Sequence, residues 1–131
     1  MSLMPPIGAA VIGCGKVGLT HALAFAGLPE ARFVAACSRS ASKAAACAGR
    51  FGARPYTDVA DLLADPAVQM VSICTPQDSH AELAERCAAA GKHVLLEKPM
   101  SVDLAGCDRA IAACRAAGVT LGVVSQRRFY E

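Results

Sequence analysis

Ile7-Gly8-Ala9-Ala10-Val11-Ile12-Gly13-Cys14-Gly15-Lys16-Val17-Gly18 is the stretch that decides the fold. Its first half is a short apolar run bounded by a glycine turn, the pattern of a strand buried on both faces. Its second half opens a helical stretch, Val17–Ala26, rich in alanine and leucine. The glycines have separate tasks. Gly13 permits a tight turn, Gly15 lets the backbone approach a pyrophosphate, and Gly18 lets the helix pack on the strand. Free N–H groups at Lys16 and Val17, with the helix dipole behind them, would favour anionic phosphates. Strand, glycine turn and helix together point to a dinucleotide cradle.

The rest of the chain repeats that alternation. Short β-rich runs are predicted at Arg32–Cys37, Gln69–Cys74, His93–Leu96 and Val119–Val124, with a weaker one at Arg54–Tyr56. Segments of helical length lie between them, at Ala41–Arg50, Val59–Leu63, His80–Ala90 and Leu104–Ala117. Near-continuous apolar strands separated by helices are what a parallel sheet covered on both faces requires. The punctuation agrees. Ser79-His80-Ala81-Glu82 reads as a capping box. Gly91 and Gly118 stand where helix C-terminal glycines belong, and Asp65-Pro66 closes a short helix. No repeat, low-complexity tract or linker interrupts residues 1–131. They read as one doubly wound α/β domain with strand order 3-2-1-4-5-6.

Composition excludes several classes. With 54 % hydrophobic and 18 % charged residues over 131 positions, the chain is neither disordered nor too small for a core. A formal charge of +2 and the lack of a long basic run argue against a nucleic-acid partner. Charges and prolines interrupt every apolar stretch before it could span a bilayer. Ile7–Ala26 imitates a signal peptide at Ala24-Phe25-Ala26, but lacks a basic n-region and carries Lys16 and His21. A cytoplasmic location is therefore expected. Met1-Ser2-Leu3 has the character of an expression leader. The seven cysteines form no Cys-x-x-Cys pair and no zinc-spaced cluster, so reduced thiols and no metal site are expected. Cys14, inside the turn, reads as a tolerated small residue rather than a redox switch.

Parallel strands deliver their carboxyl ends to one rim, where ligands bind at the reversal of strand order. After the second strand, the place where an acidic residue would hold the ribose hydroxyls of NAD reads Cys37-Ser38-Arg39-Ser40, with Lys43 a helical turn on. Ser38 can hydrogen-bond a 2′-phosphate and Arg39 can grip it, which favours NADP over NAD. The same residues also allow Arg39 as a solvated surface group with Ser40 capping the next helix. Thr75-Pro76 stiffens the turn after the fourth strand. His80 could face either the crevice or solvent. Glu97-Lys98-Pro99 ends the fifth strand, and a lysine fixed before proline can hydrogen-bond a substrate hydroxyl and stabilise its oxyanion. Glu97 could orient it, touch the cofactor or merely balance its charge.

The glycine turn, Thr75-Pro76 with His80, Glu97-Lys98-Pro99 and Gln126-Arg127-Arg128-Phe129 occur here in order and spacing. On these residues the chain resembles, from Ile7 to Phe129, the N-terminal Rossmann domain of the Gfo/Idh/MocA (glucose–fructose oxidoreductase/inositol dehydrogenase) family. The resemblance implies an NAD(P)-dependent oxidoreductase acting on a sugar, cyclitol or related polyol. It implies Lys98 as the substrate-contacting catalytic lysine and Gly13, Gly15 and Gly18 as the phosphate turn. Thr75, Pro76, His80, Glu97 and Arg127 would line the cofactor side of the cleft, and the Lys98-Pro99 bond would be cis. Family members continue into a second α/β domain that supplies the substrate pocket, a proton-transfer histidine and the usual oligomer interface. The expectation is therefore a fragment of a two-domain, homo-oligomeric enzyme, inactive by itself. The alternative is a non-catalytic NAD(P)-binding sensor, which would have no use for Lys98. A different reductase sharing the glycine turn is a weaker third reading.

Overall fold

The structure is a computed structural model and describes residues 4–130. Met1-Ser2-Leu3 and its reading as a leader lie outside the described residues. Six parallel strands form one sheet: β1 (Ile7–Ile12), β2 (Ala31–Cys37), β3 (Arg54–Tyr56), β4 (Met70–Ile73), β5 (His93–Leu96) and β6 (Leu121–Val123). Their order is β3-β2-β1-β4-β5-β6, the order expected from the sequence. The order reverses between β1 and β4, so the ligand crevice opens at the carboxyl ends of these two strands. Five helices cover the sheet: α1 (Lys16–Gly27), α2 (Ala41–Gly49), α3 (Val59–Ala64), α4 (His80–Ala89) and α5 (Leu104–Ala117).

Alternation along β1 explains why both faces are covered. Ala9 and Val11 point to one side, where Ala22 and Phe25 of α1 and Cys47 and Ala48 of α2 complete a core. Ala10 and Ile12 point to the other, against Leu62 of α3, Leu83 and Cys87 of α4 and Cys114 of α5. Alanine at these contacts lets helices approach the sheet closely, and burial supplies the main stabilisation.

Helix ends follow side-chain chemistry. Ser40 Oγ accepts from Lys43 N at 3.3 Å, Asp58 from Ala60 N at 2.8 Å and Asp103 from Gly106 N at 2.8 Å. Gly91 and Gly118 take positive φ just past α4 and α5, as expected of C-terminal glycines. The capping box at Ser79 does not form. A single 3₁₀ turn, Gln77–Ser79, leads directly into α4, so Ser79 already has helical dihedrals and no side-chain cap. Its hydroxyl instead donates to the Pro76 carbonyl at 2.7 Å. The sixth strand is shorter than predicted: its paired register with β5 spans Leu121–Val123, and Thr120 and Val124 each add one backbone hydrogen bond to β5 at its ends.

Candidate functional site

The cradle is built by close approach. Gly13 has φ +98°, and a Cβ there would lie 2.7 Å from the Cys74 carbonyl carbon on neighbouring β4. A Cβ on Gly18 would lie 1.7 Å from the Gly13 carbonyl oxygen, so only glycine lets α1 start this close to the turn. Gly15 is different: a Cβ there would meet nothing within 4 Å. It stands at the N-cap of α1 with no side chain to cap the first-turn N–H groups. The open space in front of it is where a ligand's oxygens would satisfy those donors.

Beyond the turn lies a cleft of about 850 Å³ at the β1/β4 switch point. Gly13, Gly15, Ser38, Arg39, Lys43, Thr75 and Pro76 all border it, which unites seven of the residues singled out from sequence. Ile12, Val59 and Leu83 give it an apolar floor. Arg39 and Lys43 are exposed, and neither side chain has a carboxylate partner among the described residues. Asp78 and Glu82, which sequence reasoning did not single out, face the cleft from the α4 side. Lys16 borders a separate depression with Lys43 and Arg50, and Val17 is exposed on the first turn of α1.

Lys98 stands on the same rim, after β5, and is exposed, and its peptide bond to Pro99 is cis. Glu97 does not pair with its ammonium. Glu97 Oε2 accepts from the Lys98 main-chain N–H at 2.8 Å, and Oε1 lies 3.2 Å from His21 Nε2. That second contact joins α1, the helix opened by the glycine turn, to the lysine-bearing loop.

His80 has a different environment from the cleft residues. It is 1 % exposed, with Nδ1 2.8 Å from the Pro99 carbonyl oxygen and Nε2 2.9 Å from that of Thr75. Each ring nitrogen thus faces a backbone carbonyl oxygen, and the ring bridges the loop after β4 and the loop after β5. Arg127 lies in a final 3₁₀ turn, Gln126–Phe129; it is exposed, and no side-chain contact holds it among the described residues.

The family model described as an oxidoreductase family with an NAD-binding Rossmann fold matches residues 7–125. The chain belongs to the Gfo/Idh/MocA family. Inositol 2-dehydrogenase of Rhizobium meliloti is 42 % identical over 94 residues, covering 71 % of this chain and 28 % of that protein. Among solved structures, GenD2 from gentamicin A biosynthesis, in complex with NAD, superimposes with a TM-score of 0.89 at 32 % identity. That match covers 94 % of this chain and 35 % of GenD2. KijD10, a 3-ketoreductase from Actinomadura kijaniata in complex with NADP and TDP-benzene, gives 0.86 at 34 % identity, covering 90 % and 37 %. The chain spans about a third of the length of the relatives it matches.

In this Gfo/Idh/MocA domain the residues present fit an NAD(P) group. The space a Gly15 side chain would fill, the uncapped α1 terminus and the unpaired cations beyond β2 suit a pyrophosphate and an adenosine end. Which of the two cofactors is taken depends on the β2 end. Sequence reasoning passed over His21 and Ser72, whose hydroxyl meets His21 Nδ1. The available signal was a polar serine within the apolar β4 run and a histidine five residues after Lys16 on the same helix. Burial pushes the Cys14 and Cys74 thiols up to about 12, so both stay protonated at neutral pH. Cys14 Sγ donates to the Cys37 carbonyl at 3.4 Å, a packing role beside the cradle. No helix among the described residues is long and apolar enough to cross a membrane.

Proposed function

We propose that the chain is the cofactor-binding domain of an NADP-preferring oxidoreductase that transfers hydride between a nicotinamide and a sugar, cyclitol or related polyol. The observation that carries this reading is the placement of Lys98 on the rim that holds the Gly13–Gly18 cradle, joined to α1 through Glu97 and His21. A dehydrogenase needs a dinucleotide site and a cation for the reacting oxygen, and the loops after β1 and β5 bring candidates for both to the carboxyl-end rim of one sheet.

Gly15 and the first-turn N–H groups of α1 would hold the pyrophosphate, while Ile12, Val59 and Leu83 offer a surface for adenine. Ser38, Arg39 and Lys43 would take the 2′-phosphate, since no acidic residue follows β2 to repel it. A bound nicotinamide supplies or accepts the hydride. Lys98 would hydrogen-bond the substrate hydroxyl and stabilise negative charge on its oxygen as the carbon–hydrogen bond breaks. The names of the inositol dehydrogenase and of a dTDP-3,4-didehydro-2,6-dideoxy-alpha-D-glucose 3-reductase from Actinomadura kijaniata, 36 % identical over 117 residues, place their substrates among cyclitols and sugar nucleotides, which supports the substrate class.

Fluorescence titration with NADPH and NADH tests the reading. Arg39→Ala removes one charged hydrogen bond worth about 1.5–3 kcal/mol, so NADPH affinity should fall about ten- to a hundredfold while NADH affinity barely changes. Folded protein that binds neither nucleotide would overturn the proposal. Equal losses for the two nucleotides would remove the NADP preference alone.

A further inference from the structure

His21 belongs neither to the cradle nor to the cleft, yet its ring joins three elements. Nδ1 meets the hydroxyl of Ser72 on β4, and Nε2 lies 3.2 Å from Glu97 Oε1 at the end of β5. Ser72 is 0 % exposed and the His21 side chain 12 %. A serine so enclosed is not a nucleophile in waiting. Donor arithmetic assigns the ring instead. A carboxylate only accepts, so Nε2 carries a proton toward Glu97; in the neutral ring Nδ1 is then bare, and the Ser72 hydroxyl donates to it. With that tautomer every polar atom of the chain Ser72–His21–Glu97–Lys98 N–H is satisfied.

The consequence concerns Lys98. Its nearest carboxylate in sequence, Glu97, uses one oxygen on His21 and the other on the Lys98 main chain. The Lys98 ammonium has no hydrogen-bond or ion-pair partner among the described residues. We infer that His21 is a positioning residue. Held by Ser72, it turns the Glu97 carboxylate onto the Lys98 backbone and so keeps the ammonium unpaired for the reacting oxygen. The inference rests on the role proposed for Lys98 above. It assigns the helix that opens at the phosphate turn a second task, fixing the lysine-bearing loop on the same rim of the sheet.

Nuclear magnetic resonance on the 131-residue chain without cofactor tests it. Long-range nitrogen–proton correlation of the His21 ring should show the Nε2–H tautomer. The Lys98 amide proton should be displaced downfield by its bond to a carboxylate. His21→Phe should abolish that displacement and shift the Lys98 ammonium nitrogen, because the released Glu97 turns toward it. His21→Gln, which keeps an N–H near the Nε2 position, should restore both signals. A residue that only fills space would not be rescued by Gln over Phe. If His21→Phe fails to fold, Glu97→Gln reports from the other side by changing the His21 ring nitrogens. A proton on Nδ1 instead, or Lys98 signals unchanged in folded His21→Phe, would overturn the inference. A parallel NADPH titration separates the two ideas. Lost nucleotide binding with the hydrogen-bond chain intact strikes the proposed function, and a missing hydrogen-bond chain with binding intact strikes only the role of His21.

Discussion

Replacing Gly18 with alanine should damage this protein although alanine is the better helix former. A Cβ at position 18 would lie 1.7 Å from the Gly13 carbonyl oxygen and 2.9 Å from its carbon, both backbone atoms that cannot rotate away. Relief requires α1 to retreat from the turn by more than 1 Å, roughly the shortfall from ordinary contact at about 3.5 Å. Overpacking of this kind costs about 1–3 kcal/mol, and because the obstacle is backbone the upper half of that range applies. Helix propensity returns about 1 kcal/mol. The net loss is then about 1–2 kcal/mol, a fall of roughly 0.5–1 M in urea midpoint at a slope near 2 kcal/mol/M. Gly27→Ala is the internal control, since it lies on the same helix and a Cβ there meets nothing within 4 Å. It should leave stability level or raise it by about 0.4–1 kcal/mol. Urea unfolding followed by circular dichroism measures both. A Gly18→Ala midpoint equal to or above that of Gly27→Ala would refute the close-packing account of the turn.

Gly15→Ala should separate binding from folding. A Cβ there meets nothing within 4 Å, so the unfolding free energy from urea titration should stay within about 0.5 kcal/mol of the parent. NADPH affinity should nonetheless drop at least about tenfold as the methyl occupies the phosphate's approach; unchanged affinity in a titration would dismiss the cradle. Asp65 should shape the acid limb of stability. It is 5 % exposed, and the Tyr56 hydroxyl at 2.7 Å, helped by the Ala67 N–H and Arg54, holds its carboxyl below the usual range. The folded protein therefore binds fewer protons than the unfolded chain below the ordinary carboxylate value of about 3.9. Its contribution is complete above that value and drains away as pH falls through the lower folded one. Asp65→Asn should cost about 1–3 kcal/mol at pH 7 and flatten the acid limb of a urea-midpoint profile. An unchanged acid slope would show that other carboxylates govern it.

Much of this domain was legible in its sequence because local chemistry and global topology agree. Apolar runs of strand length separated by alanine-rich helical segments admit a parallel sheet covered on both faces, and the Gly13–Gly18 turn places the crevice beside β1. The cleft residues Ser38, Arg39, Thr75 and Pro76 could be read because each follows its strand immediately, and parallel strands deliver such residues to a shared rim. Ser79 shows where local pattern fails. Its capping box competes with a 3₁₀ turn, and the Pro76 carbonyl three residues back accepts from both the Ser79 N–H and its hydroxyl.

The sequence by itself determined which residues reach the rim, since strand polarity is a property of chain order. Only the tertiary structure decided what faces what across it. His80 could lie in the crevice or in solvent by sequence, and the fold buries it between the Thr75 carbonyl of the preceding loop and the Pro99 carbonyl of the loop after β5. His21, Ser72 and Glu97 are separated by 51 and 76 residues counted from His21. No periodicity records such a meeting, because side-chain hydrogen bonds across helices and strands depend on packing distance and not on spacing along the chain.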